Sequence, residues 1–268
     1  MKVCMVIGDP VRHSLSPVMH NAGYKALGID NEYKYTAKRV KPEDLEQFMR
    51  DVREQDIVGV SCTIPHKEAV IPYVDKIDET AKKIGAVNTI VNKNGTLYGY
   101  NSDWIGAVEP LKKLRPLKGA RVAVMGAGGA GKAFVYGLSK SGAKVTIYNR
   151  TAEKAKPLAI QFGCEVLDFD DQARVADAEI ICNTTPVGMN SDKSPMNPSY
   201  LHRGQIVYDT IYSPLHTRLL KDAKSKGAKT IAGSEMLLYQ GFVQFKLFTG
   251  RDAPEEAMRK ELLKNLHE

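Results

Sequence analysis

The sequence predicts an α/β fold in two domains, one spanning residues 1–103 plus 236–268 and the other residues 104–235. Three observations predict it. Apolar runs of strand length alternate with helical segments through the first hundred residues, the pattern of a parallel sheet covered by helices. Six more such runs follow Pro116-Leu117-Lys118-Gly119, enough for a complete doubly wound sheet. The last forty or so residues read as two helices, the first strongly apolar, and they need a surface to pack on, which the first domain offers.

In the first domain, strands are expected at 2–7, 32–37 and 57–62, and helices at 17–27, 42–53 and 66–83. A hairpin of 88–91 and 97–100 follows, joined through Lys93-Asn94-Gly95, because Asn-Gly favours the primed turn that matches strand twist. Asp103 opens a helix running to about residue 114, and its carboxylate reads equally well as a simple N-cap. In the second domain, strands are expected at 122–125, 145–148, 165–167, 179–182, 206–208 and 229–231. Doubly wound topology sets the fourth of these beside the first, so Asn183-Thr184-Thr185-Pro186 should emerge across a crevice from the turn after the first. Helices at 235–248 and 254–266 close the chain, separated by a Thr249-Gly250 stop.

Composition excludes several function classes. A hydrophobic fraction of 43% and a charged fraction of 26% are those of an ordinary globular protein. No apolar run approaches a membrane span, and the chain opens on a strand rather than on signal-peptide architecture. Cys4, Cys62, Cys164 and Cys182 lie far apart on strands expected to be buried, with no C-x-x-C spacing, and read as reduced core thiols of a cytoplasmic protein. The six histidines are scattered, so no metal site is expected. A formal charge of +7 could serve nucleic acid, yet the lysines are spread along amphipathic stretches and no basic run is interleaved with aromatics. Solvated helix faces explain the charge better, so neither nucleic acid nor membrane is an expected partner, and both a monomer and a homodimer fit.

One segment names a cofactor. Gly126, Gly128 and Gly131 supply G-x-G-x-x-G directly after an apolar strand and directly before a helical run, with Ala127, Gly129 and Ala130 completing the turn. In the Rossmann βαβ unit, the first glycine permits the tight turn, the second lets the backbone approach a pyrophosphate, and the third lets helix pack on strand. The pyrophosphate then meets the unpaired N–H groups and positive dipole end of the helix. At the end of the next strand, where a carboxylate would accept the ribose 2′-hydroxyl of NAD, stand Asn149, Arg150 and Thr151, with Lys154 one turn on. A guanidinium forks onto a 2′-phosphate, so the cofactor is read as NADP.

Short polar clusters fall at the strand ends of the first domain, where open α/β sheets place ligands. They are Ser14-Leu15-Ser16-Pro17, Thr63-Ile64-Pro65-His66-Lys67, Gly85-Ala86-Val87-Asn88-Thr89 and Gly99-Tyr100-Asn101-Ser102-Asp103. Singly they are weak: Ser16 before Pro17 could merely cap a helix, and Lys67 could be one surface lysine among many. Later in the chain come Asn183-Thr184-Thr185-Pro186-Val187-Gly188-Met189, then Tyr208-Asp209-Thr210-Ile211-Tyr212-Ser213-Pro214 with Thr217, and Gly233 followed by Met236-Leu237-Leu238-Tyr239-Gln240-Gly241.

In this order the clusters resemble the shikimate dehydrogenase family from Met1 to the terminal helices. The resemblance implies NADP-linked interconversion of 3-dehydroshikimate and shikimate, on the way to chorismate and the aromatic amino acids. It implies that Ser14 and Ser16 hold the substrate carboxylate, that Thr63, Asn88, Asp103 and Gln240 hold ring hydroxyls, and that Tyr212 closes over the substrate from the other domain. It makes Lys67 and Asp103 the catalytic pair, and Gly126 to Ala130, Asn149 to Lys154, Thr210 or Ile211, and Gly233 the cofactor contacts. Glu79 falls at a family position near the cofactor, with no physical argument behind it. Ser61-Cys62 stands where Asn-Val is common, and Ser102 where threonine is usual.

The residue types suit that chemistry on their own terms. Hydroxyl and amide side chains can hold a polyhydroxylated acid in several directions without burying unmatched charge. Oxidation of a carbinol needs a group to take its proton, and reduction needs one to give it, a role for which a protonated lysine is suited. Two other readings compete. A quinate/shikimate dehydrogenase often uses NAD, and Arg150 opposes it; a noncatalytic NADP-responsive regulator would be expected to lose Lys67 and Asp103, and both are present.

Overall fold

The computed structural model describes residues 1–266. The first part of the chain carries β1 (Lys2–Gly8), α1 (Ser16–Ala26), β2 (Tyr33–Arg39), α2 (Leu45–Glu54), β3 (Ile57–Cys62), α3 (His66–Ala69), β4 (Lys76–Ile77), α4 (Glu79–Ile84), β5 (Thr89–Lys93) and β6 (Thr96–Tyr100). Then come α5 (Asp103–Lys112), β7 (Arg121–Met125), α6 (Gly129–Lys140), β8 (Lys144–Tyr148), α7 (Ala152–Phe162), β9 (Glu165–Leu167) and β10 (Ile180–Asn183). The chain closes with β11 (Ile206–Asp209), α8 (Arg218–Ser225), β12 (Lys229–Ile231), α9 (Gly233–Thr249) and α10 (Glu255–Lys264). It divides into two compact units, Met1–Ser102 with Leu238–Asn265, and Asp103–Leu237. Residues 267–268, assigned from sequence to the first domain, lie outside the described residues.

The first unit holds a six-stranded sheet in the order β2-β1-β3-β5-β6-β4. It is mixed rather than parallel as the alternation predicted. β1 pairs in parallel with β2 and β3, but the hairpin β5–β6 joins the same sheet antiparallel to β3. Asn94 (φ 53°) and Gly95 (φ 84°) form the turn with both residues left-handed, as the Asn-Gly pair demands. The expected long helix 66–83 is broken into α3, a 3₁₀ turn at Ile71–Tyr73, β4 and α4. Pro72 lacks the N–H a continuing helix needs, and Asp78 starts α4 anew by accepting from the Thr80 and Ala81 amides, with Gly85 (φ 70°) ending it.

One sheet face covers a core of Met5, Ile7, Phe48, Val60, Ile90 and Leu97. The terminal helices complete this unit: α10 packs on α1, and a Cβ on Gly23 would lie 2.7 Å from Phe245 and 3.0 Å from Met258. Gly59 likewise sits under the Phe248 ring with no room for a side chain.

The second unit holds a parallel sheet in the order β12-β11-β10-β7-β8-β9, with the fourth strand beside the first as expected. Its strands read as unbroken apolar runs because both faces are covered. Val122 and Val124 of β7, Ile180 and Cys182 of β10, and Ile206 and Tyr208 of β11 enter one core, while Ala123, Met125, Ile181 and Val207 enter the other. Cys4, Cys62 and Cys182 are buried and outside any disulfide; Cys164 departs from the expected strand placement and is half-buried before β9. Among the described residues no helix is long and apolar enough to cross a membrane, and no group of ligating side chains could hold a metal ion.

Candidate active site

The nucleotide site is made by backbone. Gly126 takes φ +100°, and a Cβ there would stand 2.8 Å from Thr184 Oγ1. At Gly131 a Cβ would collide with the Gly126 carbonyl oxygen, which is the close approach of helix to strand that the third glycine allows. Gly128, the residue before α6, has nothing within 4 Å of where its Cβ would be. The turn is therefore closed against protein on two sides and open where a pyrophosphate must come, with Ala127, Gly129 and Ala130 half-buried around it. A dinucleotide fits this geometry: α6 runs 12 residues from Gly129 with no side chain capping its first turn, and a helix N-terminus offers its N–H groups to a phosphate.

Asn183 pairs in register with Met125, which brings the loop after β10 to the glycine turn. Thr184 Oγ1 donates to the Met125 carbonyl at 2.6 Å, fastening loop to turn. At the end of β8, Asn149 Nδ2 donates to the Thr151 carbonyl at 2.7 Å, and Arg150, Thr151 and Lys154 are exposed. Gly233 packs against Thr210 and Ile211 so tightly that a Cβ would strike the Thr210 carbonyl, and its amide donates to Ile211 O at 3.2 Å. These three expected cofactor residues are thus brought together. Tyr212 follows them, half-buried.

Sequence reasoning gave Asp209 no role, yet it organises this end of the unit. Its buried carboxylate accepts from Asn183 Nδ2 at 3.0 Å, the Ile211 amide at 3.1 Å and Thr217 Oγ1 at 2.7 Å. Burial pushes its pKa up to about 6, against the lowering effect of those donors. The available signal was an acidic residue ending an apolar strand.

In the first unit the expected substrate residues fall at the C-terminal ends of β1 and β3. A Cβ on Gly8 would run into the Thr63 methyl, so the loops after the two strands meet there. The Ser16 amide lies 3.4 Å from Ser14 Oγ, and Ser16 makes no helix cap; the capping position is Leu15. Buried His66 donates from Nε2 to the Val40 carbonyl at 2.7 Å, anchoring α3, and the Lys67 carbonyl accepts from the Val87 amide at 2.7 Å. Lys67 is thereby tied one residue from Asn88. Asn88 is buried, with Nδ2 2.9 Å from Ser102 Oγ and 3.5 Å from Gln240 Oε1.

Asp103 is the buried first residue of α5, placed in the second unit by its contacts. Glu79 is exposed at the start of α4 and pairs with Lys82 at 2.8 Å, which holds its carboxyl below the usual range. Sequence reasoning missed Tyr35 and Gln244 and named Thr89 without giving it a role; the three join Ser61 behind Asn88. A second glutamine one turn after Gln240 on an apolar helix was the signal for that group.

A glycine-turn nucleotide unit carried in one chain with a unit of converging hydroxyls, amides and a lysine defines a nicotinamide-nucleotide dehydrogenase of a small polar substrate. The sequence matches the profile of the shikimate dehydrogenase substrate binding domain over residues 6–90, of shikimate / quinate 5-dehydrogenase over 109–190, and of the shikimate 5′-dehydrogenase C-terminal domain over 233–263. The chain belongs to the shikimate dehydrogenase family. It is 44% identical over 266 residues to the shikimate dehydrogenase (NADP(+)) of Thermococcus kodakarensis, covering 98% of this chain and 96% of that one. Among solved structures, a shikimate dehydrogenase in complex with NADP+ superposes with a TM-score of 0.93 at 39% identity, covering 100% of this chain and 96% of its own. The Thermus thermophilus shikimate 5-dehydrogenase in complex with NADP(H) and shikimate gives 0.92 at 36% identity, covering 99% and 100%.

Proposed function

We propose that this chain catalyses the reversible NADPH-dependent reduction of 3-dehydroshikimate to shikimate, with Lys67 as the acid/base at the reacting oxygen. The observation that carries the assignment of roles is the gathering of Thr63, Lys67 and Asn88 at the end of the first sheet where β1 and β3 finish, with Ser14 and Ser16 in the segment that follows β1. Ser14 and Ser16 bind the substrate carboxylate through hydroxyl and amide donors. Thr63, Asn88 and Gln240 bind ring hydroxyls, and Tyr212 is assigned to the substrate as well. In reduction Lys67 Nζ gives a proton to the carbonyl oxygen that becomes the hydroxyl; in oxidation it takes that proton back. Asp103 is assigned the carboxylate role at the same carbon.

The fit of the glycine turn and the basic strand end supports NADP as the cofactor. The α6 N-terminus with Gly126 to Ala130 would hold its pyrophosphate, Asn149 to Lys154 the ribose phosphate, and Thr210, Ile211 and Gly233 its nicotinamide end. When bound, NADP supplies or takes up the hydride. The proposed setting is the cytoplasm with reduced cysteines, and the proposed assembly a monomer or a homodimer, which sedimentation distinguishes.

The purified chain should form NADPH from shikimate and NADP+, with much slower turnover of quinate or with NAD+. Faster oxidation of quinate with NAD+ would replace this reading by the quinate one, and no turnover of any pair would leave a nucleotide-binding regulator.

A further inference from the structure

Behind Asn88 runs an unbroken line of buried hydrogen bonds within the first unit. Tyr35 on β2, Ser61 on β3, Thr89 on β5 and Gln244 on α9 are all buried. Tyr35 Oη lies 2.6 Å from Ser61 Oγ, and Ser61 Oγ lies 2.9 Å from Gln244 Oε1. Gln244 Nε2 lies 3.0 Å from Thr89 Oγ1 and 3.3 Å from the Asn88 carbonyl, and Thr89 Oγ1 lies 2.7 Å from Asn88 Oδ1.

Hydroxyls and carboxamides can run in either direction, so such a line has two possible polarities. Backbone groups at two points settle which. The Asn88 carbonyl can only accept, so the Gln244 atom facing it is the NH₂, and the oxygen of that amide faces Ser61. Ser61 then donates to Gln244 and accepts from Tyr35, whose phenol burial keeps protonated. Thr89, receiving from Gln244, spends its own proton on Asn88 Oδ1. The Ser102 amide can only donate, and it meets the same Oδ1 at 2.7 Å. Both anchors therefore demand one direction, and under it Asn88 Nδ2 faces Ser102 Oγ and Gln240 Oε1.

We infer that Gln244, supported by Ser61 and Tyr35 and acting through Thr89, is a positioning residue that holds Asn88 as a hydrogen-bond donor to the substrate. An Asn88 side chain turned over would present its carbonyl, and a hydroxyl held through its lone pair would meet an acceptor instead. The line thus selects the orientation in which a ring hydroxyl binds. The inference rests on the assignment of Asn88 to the substrate.

Gln244→Glu tests it, because a glutamate keeps the shape and exchanges a donor for an acceptor. Protonated, it can still donate to the Asn88 carbonyl; ionised, it cannot. Its neighbours are His20, which stacks on Tyr35 at 4.3 Å and which burial holds neutral with a pKa pushed down to about 3, and Tyr35, which burial pushes up. Neither changes charge between pH 6 and 9, so a new titration in that range belongs to the glutamate. The shikimate KM of Gln244→Glu should rise about tenfold more than that of the parent enzyme between about pH 6 and 9 as the carboxyl ionises, with the NADP+ KM unchanged. A KM raised equally at every pH, as Gln244→Leu would give, overturns the polarity argument, as does a KM that does not move.

Thr89→Val supplies a second readout if the glutamate variant does not fold: it cuts the line at the hydroxyl that accepts from Gln244 Nε2 and donates to Asn88 Oδ1, and should raise the shikimate KM about fivefold. An unchanged KM there also overturns the inference. Asn88→Ala separates the two levels. Loss of shikimate affinity in Asn88→Ala with indifference to Gln244→Glu and Thr89→Val sinks the positioning role alone, whereas an indifferent Asn88→Ala sinks the substrate assignment beneath it.

Discussion

The two units build their sites by different means. In the second, the glycine turn is an arrangement of backbone, closed by contacts of Gly126 and Gly131 and open at Gly128, with its basic side chains standing in solvent. In the first, side chains from β2, β3, β5 and α9 interlock in the interior, and residues as far apart as Ser61 and Gln244 bond directly. A backbone site keeps its fold when its exposed side chains change, but not when Gly126 or Gly131 does. A buried polar network tolerates little anywhere, because each unmade bond leaves a desolvated group without a partner.

The largest effect that would test this contrast belongs to Lys67. Lys67→Met should lower kcat by about a hundredfold or more while changing the shikimate KM only a few-fold, since proton transfer matters in the transition state. Steady-state kinetics on a folded variant with near-normal kcat would return Lys67 to an ordinary surface charge.

Next come the solvent-facing parts of the nucleotide site. Arg150→Asp should raise the NADP+ KM about tenfold or more and narrow or reverse the preference over NAD+, because charge-assisted contacts to a phosphate contribute about 1.5–3 kcal/mol. Full retention of the preference would show that this strand end does not read the phosphate. Gly128→Ala separates binding from folding: with open space around the new methyl and an ordinary φ of −76°, the melting temperature should stay within about 2 °C of the parent while the NADP+ KM rises about fivefold. A fallen melting temperature with unchanged KM would contradict the picture of a turn open only toward its ligand.

The smallest effect is in pH dependence, where the two interiors oppose each other. Burial lowers the His20 pKa from 6.5 to about 3, so the folded protein resists a proton that the unfolded chain takes up; this stability is present above pH 6.5 and is lost as pH falls toward 3. Burial raises the Asp209 pKa from 3.8 to about 6, so the folded protein holds a proton that the unfolded chain has released; that stability is present below 3.8 and is lost as pH rises through about 6. Between about pH 4 and 6 the slopes cancel. His20→Phe should make stability fall with rising pH in that window by about one proton's slope relative to the parent, and Asp209→Asn should make it climb by a similar amount. Urea melts at several pH values would measure both, and parallel curves for all three proteins would refute the burial argument.

Much of the nucleotide unit was legible because its causes are local. A glycine at φ +100°, strands apolar on both faces and a cation at a strand end are properties of neighbouring residues, so periodicity and spacing reveal them. The first unit was less so. The antiparallel hairpin in an otherwise parallel sheet follows from pairing β5 with β3, and no local pattern distinguishes that from a parallel crossover. The break in 66–83 was present in Pro72 and Asp78, but helical periodicity masked it.

The sequence by itself determined the α/β class, the six-stranded doubly wound sheet, the glycine turn with its following helix, and the positions of Ser14, Ser16, Thr63, Lys67 and Asn88 at strand ends. Only the tertiary structure decided that Asp209 would gather Asn183, Ile211 and Thr217, and that Gln244 would reach Asn88 and Thr89 from more than 150 residues away. The physical reason is range. Steric and periodic rules act over a few residues along the chain. A buried hydrogen bond between distant segments exists only once packing has excluded water and left each donor a single acceptor to meet.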